Sequence, residues 1–420
     1  MNTTWTGRWT DGLRYGGLGL PLAFVALPLY VIVPNHYAAR YGVPLAVLGV
    51  VLLGVRLLDA LVDPWIGRWA DRLLARPPLT VWLTAGVAAI GLAIGFRGLM
   101  FPWVSDSGTR VLVWFGVLLA ATTLGYSVLS ILHQAWGARL GGGEAQRARV
   151  VAWREGLALV GVLFASVLPT AAGLSATTAV FAVALAAGIV LLRQAPRAGP
   201  AEAPAQRRAP SPLRTAAFRR LLAIYLVNGI ASAIPATLVL FFIRDRLQAP
   251  GHEALFLLCY FGAGALSIPG WVRVVRRVGL ARAWWIGMVL ATAVFAWAAL
   301  LGAGDVVAFA AVCLLSGVAL GADLTLPGAM VAGVIQGAGH GGQSEGAYFG
   351  WWNFATKLNL ALAAGIALPV LQWAGYAPGG TSPEALDALT FAYCLVPCAL
   401  KLLAATLLAR LWIRHHPRPA

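Results

Sequence analysis

The chain is a succession of apolar stretches, each about as long as a bilayer is thick. A helix needs roughly 20 consecutive, mostly apolar residues to cross the hydrocarbon core. Such stretches run over about 15–37, 44–66, 79–100, 111–136, 150–172, 175–192, 220–242, 254–275, 283–302, 306–335, 347–374 and 388–412. None alternates in the short segments of a barrel. They predict twelve transmembrane helices, which satisfy their own backbone hydrogen bonds in lipid. The expected class is therefore an all-α membrane protein. Composition closes the alternatives: 60% of residues are hydrophobic and 11% charged, against about 25% charged in soluble domains. Disorder needs low hydrophobicity. Cys259, Cys313, Cys394 and Cys398 lie in apolar runs and read as small hydrophobes rather than a disulfide framework. No signal-peptide cleavage pattern precedes the first span, which is expected to be retained, with Trp5 and Trp9 as interfacial anchors.

The net charge of +16 comes from 31 basic and 15 acidic residues. A nucleic-acid partner would select a basic chain but not one this apolar. With an even number of spans, both termini share one side. That side holds 23 of the 31 basic residues, while Arg40, Arg97, Arg110, Arg244 and Arg246 fall in the opposite loops. The positive-inside rule makes the richer side cytoplasmic. Abundant Arg, Ala and Gly beside only two lysines points to a bacterial source, and hence to the inner membrane.

Residues 194–217 are rich in Pro, Ala and Arg and read as a polar tether. The tether separates a half at 1–193 from a half at 218–420. A degenerate repeat links the halves. Gly67, Arg68, Asp71 and Arg72 follow the second span; Gly270, Arg273, Arg276, Arg277 and Gly279 follow the eighth. These turns, with Gly67, Asp71, Arg72, Arg273 and Arg277, are expected to take part in gating. Two six-helix halves, a linker and paired turns resemble the major facilitator superfamily. That resemblance implies a substrate site near the membrane midplane, at the interface of the repeats.

Charges inside spans are expensive and mark function. Arg56, Asp59 and Asp63 stand at i, i+3 and i+7, on one helix face. Two carboxylates beside one Arg form a group whose protonation or cation occupancy can change. The alternative is an Arg56–Asp59 bridge that only locks packing. Lys357 sits half-way along the eleventh run with Asn353 four residues earlier on the same face; its alternative is snorkelling. Asp323 precedes Pro327 in the tenth run and is expected either to pair with Lys357 or to bond a kinked backbone. Arg154 opens the fifth span beside Glu155 and is either a cavity ligand or a topology anchor. His133 in the fourth span is a proton carrier or a packing residue. Trp136, Trp153, Trp351 and Trp352 stack on a sugar ring or a lipid, or are belt and packing residues like most of the 17 Trp. Pro28, Pro34, Asn35, His36 and Tyr37 point to a broken end of the first span, serving as a gate. Lys401, in the last run, carries no assigned role.

A narrower resemblance rests on Arg56-Leu57-Leu58-Asp59-Ala60-Leu61-Val62-Asp63-Pro64-Trp65-Ile66-Gly67, on Ala135-Trp136-Gly137-Ala138-Arg139-Leu140 with Trp153-Arg154-Glu155, and on Gly350-Trp351-Trp352-Asn353-Phe354-Ala355-Thr356-Lys357-Leu358. These strings resemble the glycoside-pentoside-hexuronide:cation symporters, the melibiose-carrier group. The resemblance implies cation-coupled sugar uptake, with Asp59 and Asp63 as cation ligands and Arg56, Arg154 and Lys357 as the group's charged site residues. Two positions depart from the galactoside carriers. Ala23 stands where they have an acidic sugar ligand, and Leu132, His133 and Gln134 replace a helix-four acid. A hard cation wants several oxygen ligands, so the depleted set favours a proton over Na⁺. The expected function is thus a secondary transporter of a sugar, glycoside or related polar solute, acting as a monomer, with H⁺ or Na⁺ as coupling ion and no other cofactor. A lysolipid or other amphiphile is the alternative substrate. A third reading, an intramembrane prenyltransferase with Asp59 and Asp63 as its Asp-rich motif, lacks a second such motif. The chain is not expected to be an enzyme.

Overall fold

The computed structural model describes residues 5–104, 108–197, 211–376, 379–380 and 382–414. Most of the expected linker, and with it Arg207 and Arg208, lies outside the described residues, as does Arg418. The described residues are helical almost throughout and contain no strand. The first apolar run becomes α1 (Trp9–Gly16), α2 (Gly19–Leu27) and α3 (Val33–Tyr41), with a π-helical turn at Pro28–Ile32 between the last two. The break therefore falls where the proline was expected to place one, since Pro28 withdraws a backbone donor. Then follow α4 (Leu45–Leu74), α5 (Pro78–Met100), α6 (Thr109–Arg139) and α7 (Glu144–Arg193). Two apolar runs lie within α7, and Gly173 divides them at φ 78°, ψ 170°, a backbone that needs glycine.

The remaining helices are α8 (Ala216–Phe241), α9 (Glu253–Val278), α10 (Leu280–Ala298), α11 (Val306–Gly337), α12 (Glu345–Trp373), α13 (Pro383–Thr390) and α14 (Val396–Leu408). Prolines 64, 169, 235, 269, 327 and 369 lie inside helices, which membrane helices tolerate. Nine helical segments among the described residues are long and apolar enough to cross a membrane. Large apolar side chains such as Val87, Leu266 and Val307 lie exposed at 71%, 84% and 84%. A surface of that kind fits hydrocarbon, not water.

The helices form two compact units. One comprises Met1–Pro212 with Ile335–Phe354, the other Leu213–Val334 with Ala355–Ala420. The end of α11 and the start of α12 thus belong with the first unit. The first unit's core is built around Tyr15, Phe24, Tyr37, Phe96, Phe115 and Phe181. Phe96 meets Phe181 edge-on at 4.9 Å. Close helix approach needs small residues: a Cβ at Gly161 of α7 would strike the Leu20 backbone of α2. The second unit's core gathers Phe242, Phe256, Phe309 and Tyr393, with Phe242 stacked on Tyr393 at 4.3 Å.

Candidate functional site

Helix α4 separates its two faces sharply. Leu57, Leu58, Leu61 and Trp65 are exposed at 47%, 57%, 54% and 57%, whereas Asp59 is buried and Asp63 is wholly enclosed. The i, i+3, i+7 spacing therefore turns the acids into the unit and the apolar side chains toward lipid. Arg56, on the same face, is half-buried. The Ser127 hydroxyl of α6 donates to Asp59 Oδ1 at 2.8 Å. Beside Asp63 the backbones of α4 and α12 nearly touch, since a Cβ at Gly350 would lie 2.5 Å from the Asp63 carbonyl. The chemistry on offer is two enclosed carboxylates and a hydroxyl oxygen, with Arg56 on the same helix face. Among the described residues no group of three or more His, Cys, Asp or Glu is placed to hold a metal ion.

The other expected residues of this unit make defined side-chain contacts. Gln134 Nε2 donates to Asn353 Oδ1 at 3.1 Å and to Ser130 Oγ at 2.8 Å. The Arg154 guanidinium binds Glu155 Oε1 through Nε at 2.9 Å and Nη2 at 2.6 Å, and it also meets the Tyr15 hydroxyl. His133 is buried. Its Nε2 lies 2.7 Å from the Tyr15 carbonyl, while the Tyr15 hydroxyl donates to the His133 carbonyl at 3.1 Å. A carbonyl only accepts, so Nε2 carries the proton. His133 Nε2 is thus held in a contact between α6 and α1. Trp136 donates to the Pro196 carbonyl at 3.0 Å and packs on Trp82 at 5.5 Å. Trp153 presses on Gly12, and Trp351 meets Phe354 edge-on at 5.6 Å.

At the end of α4, beyond its apolar run, Asp71 reaches the start of α12. Its two oxygens accept from the backbone N–H groups of Gly346 at 2.7 Å and Ala347 at 2.8 Å. Asp71 thereby satisfies donors that the first turn of a helix leaves open and places a carboxylate at the positive end of its dipole. Arg139 Nε binds Glu345 Oε2 at 3.1 Å, with Nη2 3.9 Å from Asp71 Oδ1. Burial pushes the Asp71 carboxyl up to about 7; the two N–H bonds and Arg139 oppose that rise, and Glu345 adds to it. Gly67 of α4 and Gly346 of α12 meet backbone to backbone.

The residues expected at paired turns lie inside helices instead, Gly67, Asp71 and Arg72 in α4 and Gly270, Arg273 and Arg277 in α9, and the second segment packs differently. Gly270 has open space where a Cβ would stand. Arg72, Arg273 and Arg277 are exposed. The two helical segments match in sequence position but not in packing.

In the second unit the structure corrects one expectation. Asp323 pairs with Lys401, not Lys357: Lys401 Nζ lies 2.6 Å from Asp323 Oδ2. The same ammonium donates to Asn228 Oδ1 at 3.0 Å and Ser232 Oγ at 3.1 Å. Asp323 Oδ1 accepts from Trp284 Nε1 at 2.9 Å and Asn228 Nδ2 at 3.2 Å. The reason is positional, because Asp323 of α11 opens onto α8, α10 and α14. Lys357 is half-buried on α12, next to Thr356, whose hydroxyl is 2.8 Å from that of Tyr225. Ser127, Arg139 and Glu345 were not singled out from sequence, and Lys401 was given no role there. One signal was available: Tyr225, Asn228 and Ser232 form an i, i+3, i+7 polar stripe on α8.

Comparison with known proteins bears on this arrangement. The family described as MFS/sugar transport protein matches residues 13–415. The inner membrane symporter YicJ of Escherichia coli (strain K12) is 27% identical over 158 residues, covering 37% of this chain and 33% of that protein. The match thus spans about a third of the relative's length. Among solved structures, the chain is similar to a bacterial homologue of the iron transporter ferroportin in the outward-facing state. The TM-score is 0.72 at 18% identity, covering 96% of this chain and 99% of that one. It is also similar to the human organic anion transporter MFSD10, with a TM-score of 0.67 at 16% identity over 95% and 99%. The third likeness is to the major facilitator transporter FucP in the outward conformation, with a TM-score of 0.65 at 14% identity over 94% and 98%. At these identities the likeness is one of fold.

Proposed function

The chain belongs to the MFS/sugar transport protein family, and from that premise we propose that it is a cation-coupled secondary transporter of sugars or glycosides, working by alternating access. One observation carries the reading. The acidic face of α4 is turned inward, with Asp59 bonded to Ser127 and Asp63 enclosed, while its apolar face is exposed. Two enclosed carboxylates with a hydroxyl ligand take up a proton or a small cation and lose their mutual repulsion when they do. In this reading Asp59 and Asp63 hold the coupling ion. Arg56, Arg154, Lys357 and Asn353 orient the substrate. The termini lie in the cytoplasm and the protein acts as a monomer. The similarity to an inner membrane symporter supports coupling and location.

The test is uptake into inverted or right-side-out vesicles. Asp59→Asn and Asp63→Asn are each expected to abolish accumulation driven by a proton or sodium gradient. Unchanged gradient-driven accumulation in both variants overturns the coupling role. Thermal shift with sugars against lysolipids tests the substrate class, and a response to lysolipids alone overturns the sugar reading.

A further inference from the structure

Three oxygens of the second unit surround one ammonium. Asn228 Oδ1, Ser232 Oγ and Asp323 Oδ2 lie 3.0, 3.1 and 2.6 Å from Lys401 Nζ. An ammonium has three N–H groups, so this one is fully used. The oxygens are also held together without the lysine. Asn228 Nδ2 donates to Asp323 Oδ1 at 3.2 Å, Ser232 Oγ donates to Asp323 Oδ2 at 3.4 Å, and Trp284 Nε1 anchors Oδ1 at 2.9 Å. These members come from α8, α10 and α11, and α14 supplies only the cation. Lys401 and Asn228 are buried at 7% and 2% exposure.

We propose that Asn228, Ser232 and Asp323 form a preformed site for a small monovalent cation, and that the Lys401 ammonium is its tethered, permanent occupant. Carboxylate, amide and hydroxyl oxygens are the ligands hard cations take. A lysine stem delivers the charge covalently, so the second unit needs no exchangeable ion. This site stands independently of the coupling role assigned to Asp59 and Asp63.

The proposal predicts chemical rescue. Lys401→Ala removes a propylammonium fragment and leaves the cage oxygens in place. Its melting temperature is expected to fall in N-methylglucamine chloride. It should rise again, saturably, with propylammonium, ammonium or sodium chloride, because a ligand that binds only the folded state stabilises it. The wild type, whose cage is filled, sets the baseline response, and Asp323→Asn/Lys401→Ala should return to that baseline. If propylammonium stabilises Lys401→Ala no more than wild type, or stabilises the double variant equally, the proposal fails. Lys401→Met, which fills the stem's volume with a neutral chain, carries the same comparison with ammonium and sodium if the alanine variant does not fold. Failure to recover either variant in any of these salts also overturns it.

Discussion

Lys401 and Asp323, 78 residues apart, meet at 2.6 Å in the core of the second unit. Removing one member of such a pair strands the other charge, at a cost of about 3–5 kcal/mol. Lys401→Met and Asp323→Asn are each expected to lose that order of stability. The double variant Asp323→Asn/Lys401→Met removes both charges and leaves an amide oxygen on α11 able to accept from Trp284. It is expected to melt above either single variant. A denaturation cycle in detergent reads the coupling directly, and additive losses would contradict a closed pair.

Sequence patterning told which residues face inward, but not what they meet there. On α4 the spacing of Arg56, Asp59 and Asp63 against the apolar Leu57, Leu58, Leu61 and Trp65 was sufficient, because helical periodicity alone sets a face. Proline placement also pointed to the break at Pro28, and the apolar runs to the division at Gly173. The partner of Asp323 was not legible, since it depends on how α8, α10, α11 and α14 pack, and periodicity is silent on neighbours. The resemblance of the two segments, both read as turns and both helical, misled in the same way. Gly67 and Gly270 occupy equivalent positions, yet only Gly67 meets a facing backbone.

Asp71 gives the first unit a pH-dependent link. Its folded value of about 7 lies above the ordinary 3.8. For a group raised on folding, the stabilising contribution is complete below about pH 3.8 and is lost as pH rises through about 7. The melting temperature of the wild type relative to Asp71→Asn should therefore decline between about pH 4 and pH 7 and level off above that. One proton limits the slope to about 1.4 kcal/mol per pH unit. A gap that widens with pH would mean that the ionised form is the stable one.

The α4–α12 contact depends on glycine. A Cβ at Gly350 would lie 2.5 Å from the Asp63 carbonyl, and one at Gly67 would strike the Gly346 backbone. Gly67→Ala and Gly350→Ala should each cost about 1–3 kcal/mol, as overpacking does, and should lower uptake by displacing α12. Gly270→Ala meets open space within α9. There alanine is the better helix former by about 0.5–1 kcal/mol, so that variant should be neutral or more stable. Thermal melts of the three variants decide the matter, and equal losses at Gly67 and Gly270 would contradict the asymmetry.

Tyr15 and His133 bind each other twice, through the Tyr15 hydroxyl on the His133 carbonyl and the His133 Nε2–H on the Tyr15 carbonyl. Their rings lie 4.6 Å apart. These two bonds join α1 to α6, and the Tyr15 hydroxyl also meets Arg154 of α7. Tyr15→Phe removes the bond to the His133 carbonyl and the contact with Arg154 while leaving the ring in place, and should cost about 1–3 kcal/mol. His133→Gln keeps a donor of shorter reach and should lower the melting temperature further, because the ring contact goes too. Neither change should move the pH at which uptake is half-maximal if His133 serves packing alone, since its Nε2–H is held by the Tyr15 carbonyl and the ring is buried. Uptake measured from about pH 5.5 to 8.5 in His133→Gln, the range over which a histidine titrates, reads this directly. A displaced midpoint would restore His133 to the transport pathway.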